Sequence, residues 1–163
     1  MKLKLAILLF LLAAPLSLSA QKNKLIGYKH KGVIYGETLP NGAKDLGGGL
    51  LADENYGVTR FSKGKNFMLW LERITARDNS GVPNWEVKDV LTFDRLKKNQ
   101  QFLLSYSSEC VRNGKPDLNL IVLAETIRKS KNYKIVRAWK VNTRRERFEN
   151  ASIRQIKCTV AAS

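Results

Sequence analysis

A dense group of basic side chains near the C-terminal end is the part of the sequence best suited to binding chemistry. Residues 127–163 hold eleven Lys or Arg against only two acidic residues, a net charge of +9. Some of these cations flank a predicted hairpin turn, where guanidinium groups can bind phosphate or sulfate through two hydrogen bonds. The alternative, that the charges only keep the surface soluble, stays open. The predicted anion-binding residues are Arg137, Lys140, Arg144, Arg145 and Arg147.

The chain has two cysteines, Cys110 and Cys158, which lie 48 positions apart. In an oxidising compartment an even pair is typical of a disulfide rather than of a metal site or a nucleophile. Both are expected to point inward from strands, and closing a loop of this length is worth about 4 kcal/mol of stability. We therefore predict a Cys110–Cys158 disulfide.

His30 is the only histidine in the chain, and it lies between Lys29 and Lys31. Any Ser–His–Asp or Cys–His catalytic arrangement would have to include it. The two flanking ammonium groups are expected to lower its pKa, which disfavours a catalytic role. A zinc site would have to consist mostly of carboxylates. The sequence thus predicts no catalytic residue, no metal site and no cofactor.

Three acidic residues on adjacent candidate strands, Glu72, Glu86 and Asp89, are the other possible catalytic group. A pair of carboxylates can hydrolyse a glycosidic bond when both face one cleft. Such residues are more often solvated and matched by nearby cations, here Arg73 and Lys88. Asp89 is the exception, because its side chain is expected on a buried face, where it needs hydrogen-bond partners.

The N-terminal residues have the pattern of an export signal. Lys2 and Lys4 precede the apolar run Leu5–Ala14, and small residues follow, with cleavage expected after Ser19 or Ala20. The apolar run is short for a membrane span. We therefore expect a protein of the periplasm or the extracellular space.

Residues 1–20 are thus predicted to be a signal peptide and residues 21–163 a single secreted domain, long enough to bury a core. The predicted domain carries a net charge of +13, which favours anionic partners. Nucleic acid is not expected outside the cytoplasm, and no further segment is long enough to span a membrane. An anionic envelope polymer, a lipid headgroup or an acidic protein is the expected partner, and the oligomeric state is left open.

Turn residues recur every eight to fifteen positions between short runs of β-branched and aromatic residues, and helix signals are scarce. This spacing is typical of an antiparallel all-β domain. We predict a sandwich or partly open barrel of seven to nine strands. The predicted turns are Pro40-Asn41-Gly42, Lys63-Gly64-Lys65, Asn79-Ser80-Gly81, Asn113-Gly114 and Asn142-Thr143-Arg144.

Strand positions follow from the alternation of apolar and polar residues. The runs 67–71 and 118–124 are apolar on both faces and predict central strands, and the run 102–110 predicts one strand that ends at the inward-facing Cys110. In the run 85–93, Trp85, Val87, Leu91 and Phe93 are expected on one face, with Asp89 among them. The glycine-rich segment 36–56 is predicted to be a loop.

The second half of the chain resembles a group of small exported bacterial proteins with no assigned function. The resemblance covers residues 85–158 and implies a shared fold and an envelope or secreted location, without implying an activity. The residues that carry it are Trp85, Val87, Asp89 and Leu91, then Cys110, Asn113, Gly114 and Asp117, then Ala138-Trp139, Phe148-Glu149 and Cys158.

These features together favour a non-enzymatic, basic binding or interaction module for anionic components of the cell envelope. Two alternatives remain. One is a secreted protein inhibitor that presents the Arg144-Arg145 hairpin tip to its target, and the other is a carboxylate-dependent hydrolase.

Overall fold

The structure, a computed structural model, describes residues 24–32, 35–104 and 109–159. The predicted signal peptide, residues 1–20, lies outside this part of the chain. The fold is all-β and antiparallel, as predicted, with twelve strands in the described residues instead of seven to nine, because several are only two to four residues long. No helix in these ranges is long and apolar enough to cross a membrane. The strands are β1 (Lys29–Lys31), β2 (Lys44–Leu50), β3 (Tyr56–Lys63), β4 (Asn66–Arg77), β5 (Pro83–Phe93), β6 (Gln100–Leu104), β7 (Glu109–Arg112), β8 (Lys115–Pro116), β9 (Leu120–Thr126), β10 (Tyr133–Asn142), β11 (Arg147–Asn150) and β12 (Ile156–Thr159).

Sheet A is a five-stranded sheet in the order β1-β5-β4-β3-β2, curled into a half-barrel. Its long strands are joined by two of the predicted turns, in which Gly64 and Gly81 adopt φ angles of 61° and 80°. Glycine takes such positive angles without steric cost, so the chain can reverse tightly at both places. This confirms the predicted hairpins on either side of β4.

The two faces of sheet A bury different cores. The inner face of the curl carries an apolar cluster that includes Phe61, Met68, Trp70, Val87 and Val90. The outer face packs against sheet B, a four-stranded sheet in the order β11-β10-β9-β6. Sheet A thus contributes to two separate apolar clusters.

Sheet B lies in the middle of the molecule. On β9, Ile121 and Leu123 pack toward sheet A, whereas Leu120, Val122 and Ala124 pack toward the third sheet. This confirms that β9 is a central strand, as is β4 in sheet A, whose residues 68–72 are buried.

Sheet C is a three-stranded sheet in the order β12-β7-β8, which covers the other face of sheet B. Cys110 of β7 lies directly opposite Cys158 of β12, with their Cα atoms 4.1 Å apart, and the two are joined by the predicted disulfide. The single strand predicted for residues 102–110 is wrong, because β6 ends at Leu104 in sheet B and β7 begins at Glu109 in sheet C. Residues 105–108 lie outside the described ranges.

A β-bulge in β5 changes which of its residues share a face. Lys88 is the extra residue, because Val87 and Asp89 pair with consecutive residues of β4. Val87 therefore belongs to the inner cluster, whereas Leu91 and Phe93 pack on the outer face. The single face predicted for these residues is wrong, since the alternation restarts after the bulge.

The glycine-rich segment predicted to be a loop contains the edge strand β2. A side-chain Cβ at Gly48 would lie 2.6 Å from both Thr59 Oγ1 and the Val58 carbonyl oxygen, so only glycine fits this position. The glycines thus allow β2 to lie close against β3, and the loop prediction is wrong.

Candidate functional site

The hairpin between β10 and β11 carries three of the predicted anion-binding residues, at its exposed tip. Arg145 and Arg147 each form an ion pair with Glu149, at 3.5 and 3.1 Å. The exposed Arg144 side chain has no ion-pair or hydrogen-bond partner among the described residues. Arg144 is thus the basic group of this tip that is most available to a partner.

Glu146 fixes the hairpin against sheet A. Its carboxylate accepts a hydrogen bond from the Tyr56 hydroxyl at 2.9 Å and forms ion pairs with Arg73 at 2.9 Å and Lys88 at 3.4 Å. Burial, followed by the hydrogen bond to Glu146, raises the pKa of Tyr56 above its ordinary value. The tip is therefore held from below by a network that joins two sheets.

The other two predicted residues lie apart from the tip. The Arg137 guanidinium stacks over the Trp139 ring, 5.1 Å from its centroid. Lys140 faces Asp117 at 3.5 Å, next to sheet C. The five residues therefore do not converge on one point but lie in three places along the β10–β11 hairpin.

An open cleft beside sheet C, here called the basic cleft, has a volume of about 690 Å³. Arg112, Lys115 and Lys140 line it, and Asp117 is its only acidic lining residue among the described residues. Asp117 contacts Arg112 at 3.9 Å and Lys140 at 3.5 Å, which are long distances for ion pairs. Arg112 and Lys140 thus share one carboxylate, and Lys115 lines the same open space without contacting it.

Arg112 and Lys115 were missed by the sequence analysis, because they precede the basic C-terminal block. They belong to the β7–β8 hairpin, whose Asn113 and Gly114 adopt φ angles of 52° and 74° in the predicted turn. The disulfide joins β7 to β12 next to β10, which brings this hairpin beside Lys140. The motif Cys110 to Asp117 was visible in the sequence, but its proximity to Lys140 depends on the sheet arrangement.

A second cleft, of about 610 Å³, opens at one end of the curl of sheet A and is here called the inner cleft. At its base the His30 Nε2 atom lies 2.6 Å from Glu72 Oε1, and the Thr59 hydroxyl donates to Glu72 Oε2 at 2.6 Å. The His30 and Glu72 side chains are almost fully buried, at 5% and 1% exposure. The cleft is also lined by Asp45, Gly47, Gly48, Gly49 and Trp85.

The hydrogen bonds of His30 favour a charged ring. Its Nδ1 atom lies 2.9 Å from the Lys31 carbonyl oxygen, which can only accept, so Nδ1 carries a hydrogen. Donation from Nε2 to an ionised Glu72 carboxylate, together with the hydrogen on Nδ1, makes the ring an imidazolium. Burial lowers the pKa of His30, but the hydrogen bond and the charge of Glu72, together with the Lys31 carbonyl, raise it above 6.5 overall. The expected lowering by the flanking lysines is wrong.

The polar groups of the inner cleft are bonded to one another. Both ring nitrogens of His30 and both carboxylate oxygens of Glu72 have partners within the protein. Asp45 is also buried; burial raises its pKa, although a hydrogen bond from the Gly47 N–H opposes this. The cluster therefore ties β1 to β3 and β4, and its partnered nitrogens do not favour His30 as a general base.

The three carboxylates considered for hydrolysis lie in three different environments. Glu72 lies in the inner cleft, and Glu86 forms an ion pair with Lys88 at 3.0 Å. Asp89 is buried, as expected, and accepts hydrogen bonds at 2.8 Å from the Val90 and Phe148 backbone N–H groups. The three do not line a common cleft in the described part of the chain.

In residues 24–32, 35–104 and 109–159 no group of three or more His, Cys, Asp or Glu side chains is placed to hold a metal ion. Comparison of the chain with protein-family models, curated proteins and solved structures gives no match. The resemblance over residues 85–158 stays a prediction.

Proposed function

We propose that the protein is exported and acts as a non-enzymatic module that binds anionic groups of cell-envelope components through its basic cleft. The observation that carries the proposal is that Arg112, Lys115 and Lys140 line one cleft, in which Asp117 is the single acidic residue among those described. A disulfide is typical of proteins of oxidising compartments, which supports a periplasmic or extracellular location.

The contacts of Asp117 support exchange of its carboxylate for an external anion. Its side chain is 19% exposed, and those of Arg112 and Lys140 are 30% and 47% exposed. Lys115 is exposed and has no side-chain partner within the described ranges. A phosphate or carboxylate entering the cleft can therefore contact an Arg fork and two ammonium groups without displacing a buried ion pair.

The test measures binding of the purified protein to three anionic probes: phosphatidylglycerol vesicles, soluble polyphosphate and polyglutamate. These stand for a lipid headgroup, an anionic polymer and an acidic protein. Replacing Arg112, Lys115 and Lys140 together by Gln should weaken binding of the preferred probe by at least about tenfold, the equivalent of one charge-assisted hydrogen bond. Asp117→Asn should strengthen it, since that change removes the competing charge.

The matched control replaces Lys29, Lys44 and Lys65 by Gln, which removes the same charge from exposed positions of sheet A and its β3–β4 turn. This variant should retain most of the affinity. Binding should also fall between about 0.1 M and 1 M salt, over which the Debye length shrinks from about 10 Å to about 3 Å. An equal loss of affinity in the two triple variants would contradict a defined site and would mean that only the net charge of the protein determines binding.

An inhibitory function is the second candidate, favoured by the fixed hairpin tip. Three contacts of Glu146 hold the tip against sheet A, while Arg144 stays exposed at its apex. Rigid loops bind protein partners with little loss of conformational entropy. If this function is correct, Arg144→Ala abolishes capture of a protein partner, whereas the basic-cleft variants leave that capture unchanged.

A further inference from the structure

A third cavity lies on the inner face of sheet A and is distinct from both clefts described above. Its volume is about 210 Å³, and it is here called the tryptophan cavity. Its walls are mostly apolar, and its lining residues are Lys24, Leu25, Tyr28, Asn41, Ala43, Lys63, Met68 and Trp70.

Two of the lining residues have buried hydrogen-bond donors that find no acceptor in the described part of the chain. Trp70 is fully buried, and its indole Nε1–H has no partner among the described residues. Asn41 Oδ1 accepts from the Ala43 N–H at 3.0 Å, which fixes the orientation of its amide and leaves the buried Nδ2 group without a partner in residues 24–32, 35–104 and 109–159. Buried donors in folded proteins nearly always have a partner, so two such donors on one cavity indicate an acceptor that the described residues do not supply.

The charges near the cavity indicate the type of acceptor. Lys24 and Lys63 line it with exposed side chains, and no acidic side chain lines it among the described residues. The Lys63 ammonium already donates to the Asn41 carbonyl oxygen at 2.6 Å, which holds it beside the Asn41 turn. Two donors without an acceptor in the described residues, beside two lysines and no acidic lining residue, favour an anionic oxygen ligand.

The walls and the size limit the rest of the ligand. Leu25, Tyr28, Ala43 and Met68 offer apolar contacts and no charge. The volume of 210 Å³ is below the range of about 300–1,000 Å³ that holds drug-sized molecules. The ligand must therefore be small, with an apolar body and one anionic end.

We propose that the tryptophan cavity binds a small monocarboxylate with an apolar body, whose carboxylate accepts hydrogen bonds from Trp70 Nε1–H and the Asn41 amide. The apolar body lies against Met68 and Tyr28, and the two lysines attract the anion to the opening. This site and the basic cleft share no lining residue, so either can exist without the other.

The experiment follows the indole N–H resonances of the purified protein while benzoate or hexanoate is added. The chain has three tryptophans, and the Trp70 signal is assigned by its loss in Trp70→Phe. Benzoate should shift this signal saturably at millimolar concentration, and benzyl alcohol, which has the same ring without the charge, should not. The indole N–H signals of Trp85 and Trp139 should stay in place.

Asn41→Asp is the second variant, chosen because Asn41 lies in a partly exposed turn and the new side chain keeps the acceptor for the Ala43 N–H. It removes the free donor and adds a negative charge, so benzoate affinity should fall at least tenfold. Lys140→Gln in the basic cleft should leave that affinity unchanged. A Trp70 signal that does not shift with either acid overturns the proposal. An equal shift with benzyl alcohol also overturns it, and so does an unchanged benzoate affinity in Asn41→Asp.

Discussion

The buried pair of His30 and Glu72 gives this protein a pH-dependent stability that one substitution should remove. The pKa of His30 is raised above its ordinary value of 6.5, since Glu72 and the Lys31 carbonyl outweigh the lowering effect of burial. The nearby Asp45 carboxylate acts in the same direction. The folded protein therefore holds the His30 proton more tightly than the unfolded chain does.

The sign of the effect follows from this shift. The stabilisation is fully present below the pKa of the unfolded state, about 6.5, and is lost as the pH rises through the higher pKa of the folded state. Glu72→Gln preserves the shape of the side chain but removes its charge. Because both groups are buried, with exposures of 5% and 1%, removal of one partner should cost about 3–5 kcal/mol at pH values below this transition.

The assay uses the single histidine of the chain as its probe. A titration of the imidazole Hε1 resonance should give a pKa above 6.5 in the wild-type protein and a lower pKa in Glu72→Gln, where burial acts without the carboxylate. Urea unfolding in parallel should show a stability gap between the two proteins that narrows as the pH rises. Glu86→Gln, which removes the same charge from a pair outside the inner cleft, should leave the His30 pKa unchanged.

Two results would refute this reasoning. A wild-type His30 pKa at or below 6.5 would mean that burial prevails over the Glu72 contact. An unchanged pKa in Glu72→Gln would mean that the 2.6 Å contact contributes nothing to the charge of the ring.

Two further substitutions test the elements that hold the sheets together. Replacing Cys110 and Cys158 by Ser opens a loop of 48 positions and should lower the free energy of unfolding, measured with urea, by about 4 kcal/mol. Equal stability of the wild-type protein in the presence and absence of reductant would contradict this prediction. The Asp89→Asn side chain has one acceptor oxygen and cannot satisfy both the Val90 and the Phe148 N–H groups. This change should lower the free energy of unfolding by about 1–3 kcal/mol and speed hydrogen exchange at the Phe148 amide. An unchanged exchange rate would show that the hydrogen bond from Phe148 to Asp89 is unimportant.

Much of the fold could be predicted from local signals. Two kinds of element depend on near neighbours along the chain, and both were confirmed. They are the turns at Gly64 and Gly81 and the strands that are apolar on both faces, β4 and β9. The bulge at Lys88 could not be predicted, because a strand with one extra residue has the same composition as a regular strand. Strand β2 could not be predicted either, because its glycines are typical of a loop. Their role depends on the close contact of Gly48 with Thr59, which only the structure shows.

The charge of His30 was predicted with the wrong sign because sequence neighbours are not spatial neighbours. On a strand, alternate residues point to opposite faces, so Lys29 and Lys31 are exposed while the His30 ring points inward. The residue that determines its charge, Glu72, lies 42 positions away. The sequence did contain one signal for this contact. In a strand, Glu72 lies on the same face as Trp70, which indicates that its carboxylate is buried and needs a partner.

The distribution of basic residues shows why a net charge does not define a site. Within the C-terminal block, Arg145 and Arg147 share one ion-pair partner, Glu149, and Arg137 covers Trp139. Lys140 instead lies near Arg112, since both contact Asp117. Arg112 lies two residues after Cys110 on β7, the strand that the disulfide joins to β12. The disulfide and the basic cleft are therefore physically coupled. Loosening β7 should let Arg112 move away from Lys140, so the proposed anion affinity should fall when Cys110 and Cys158 are replaced by Ser.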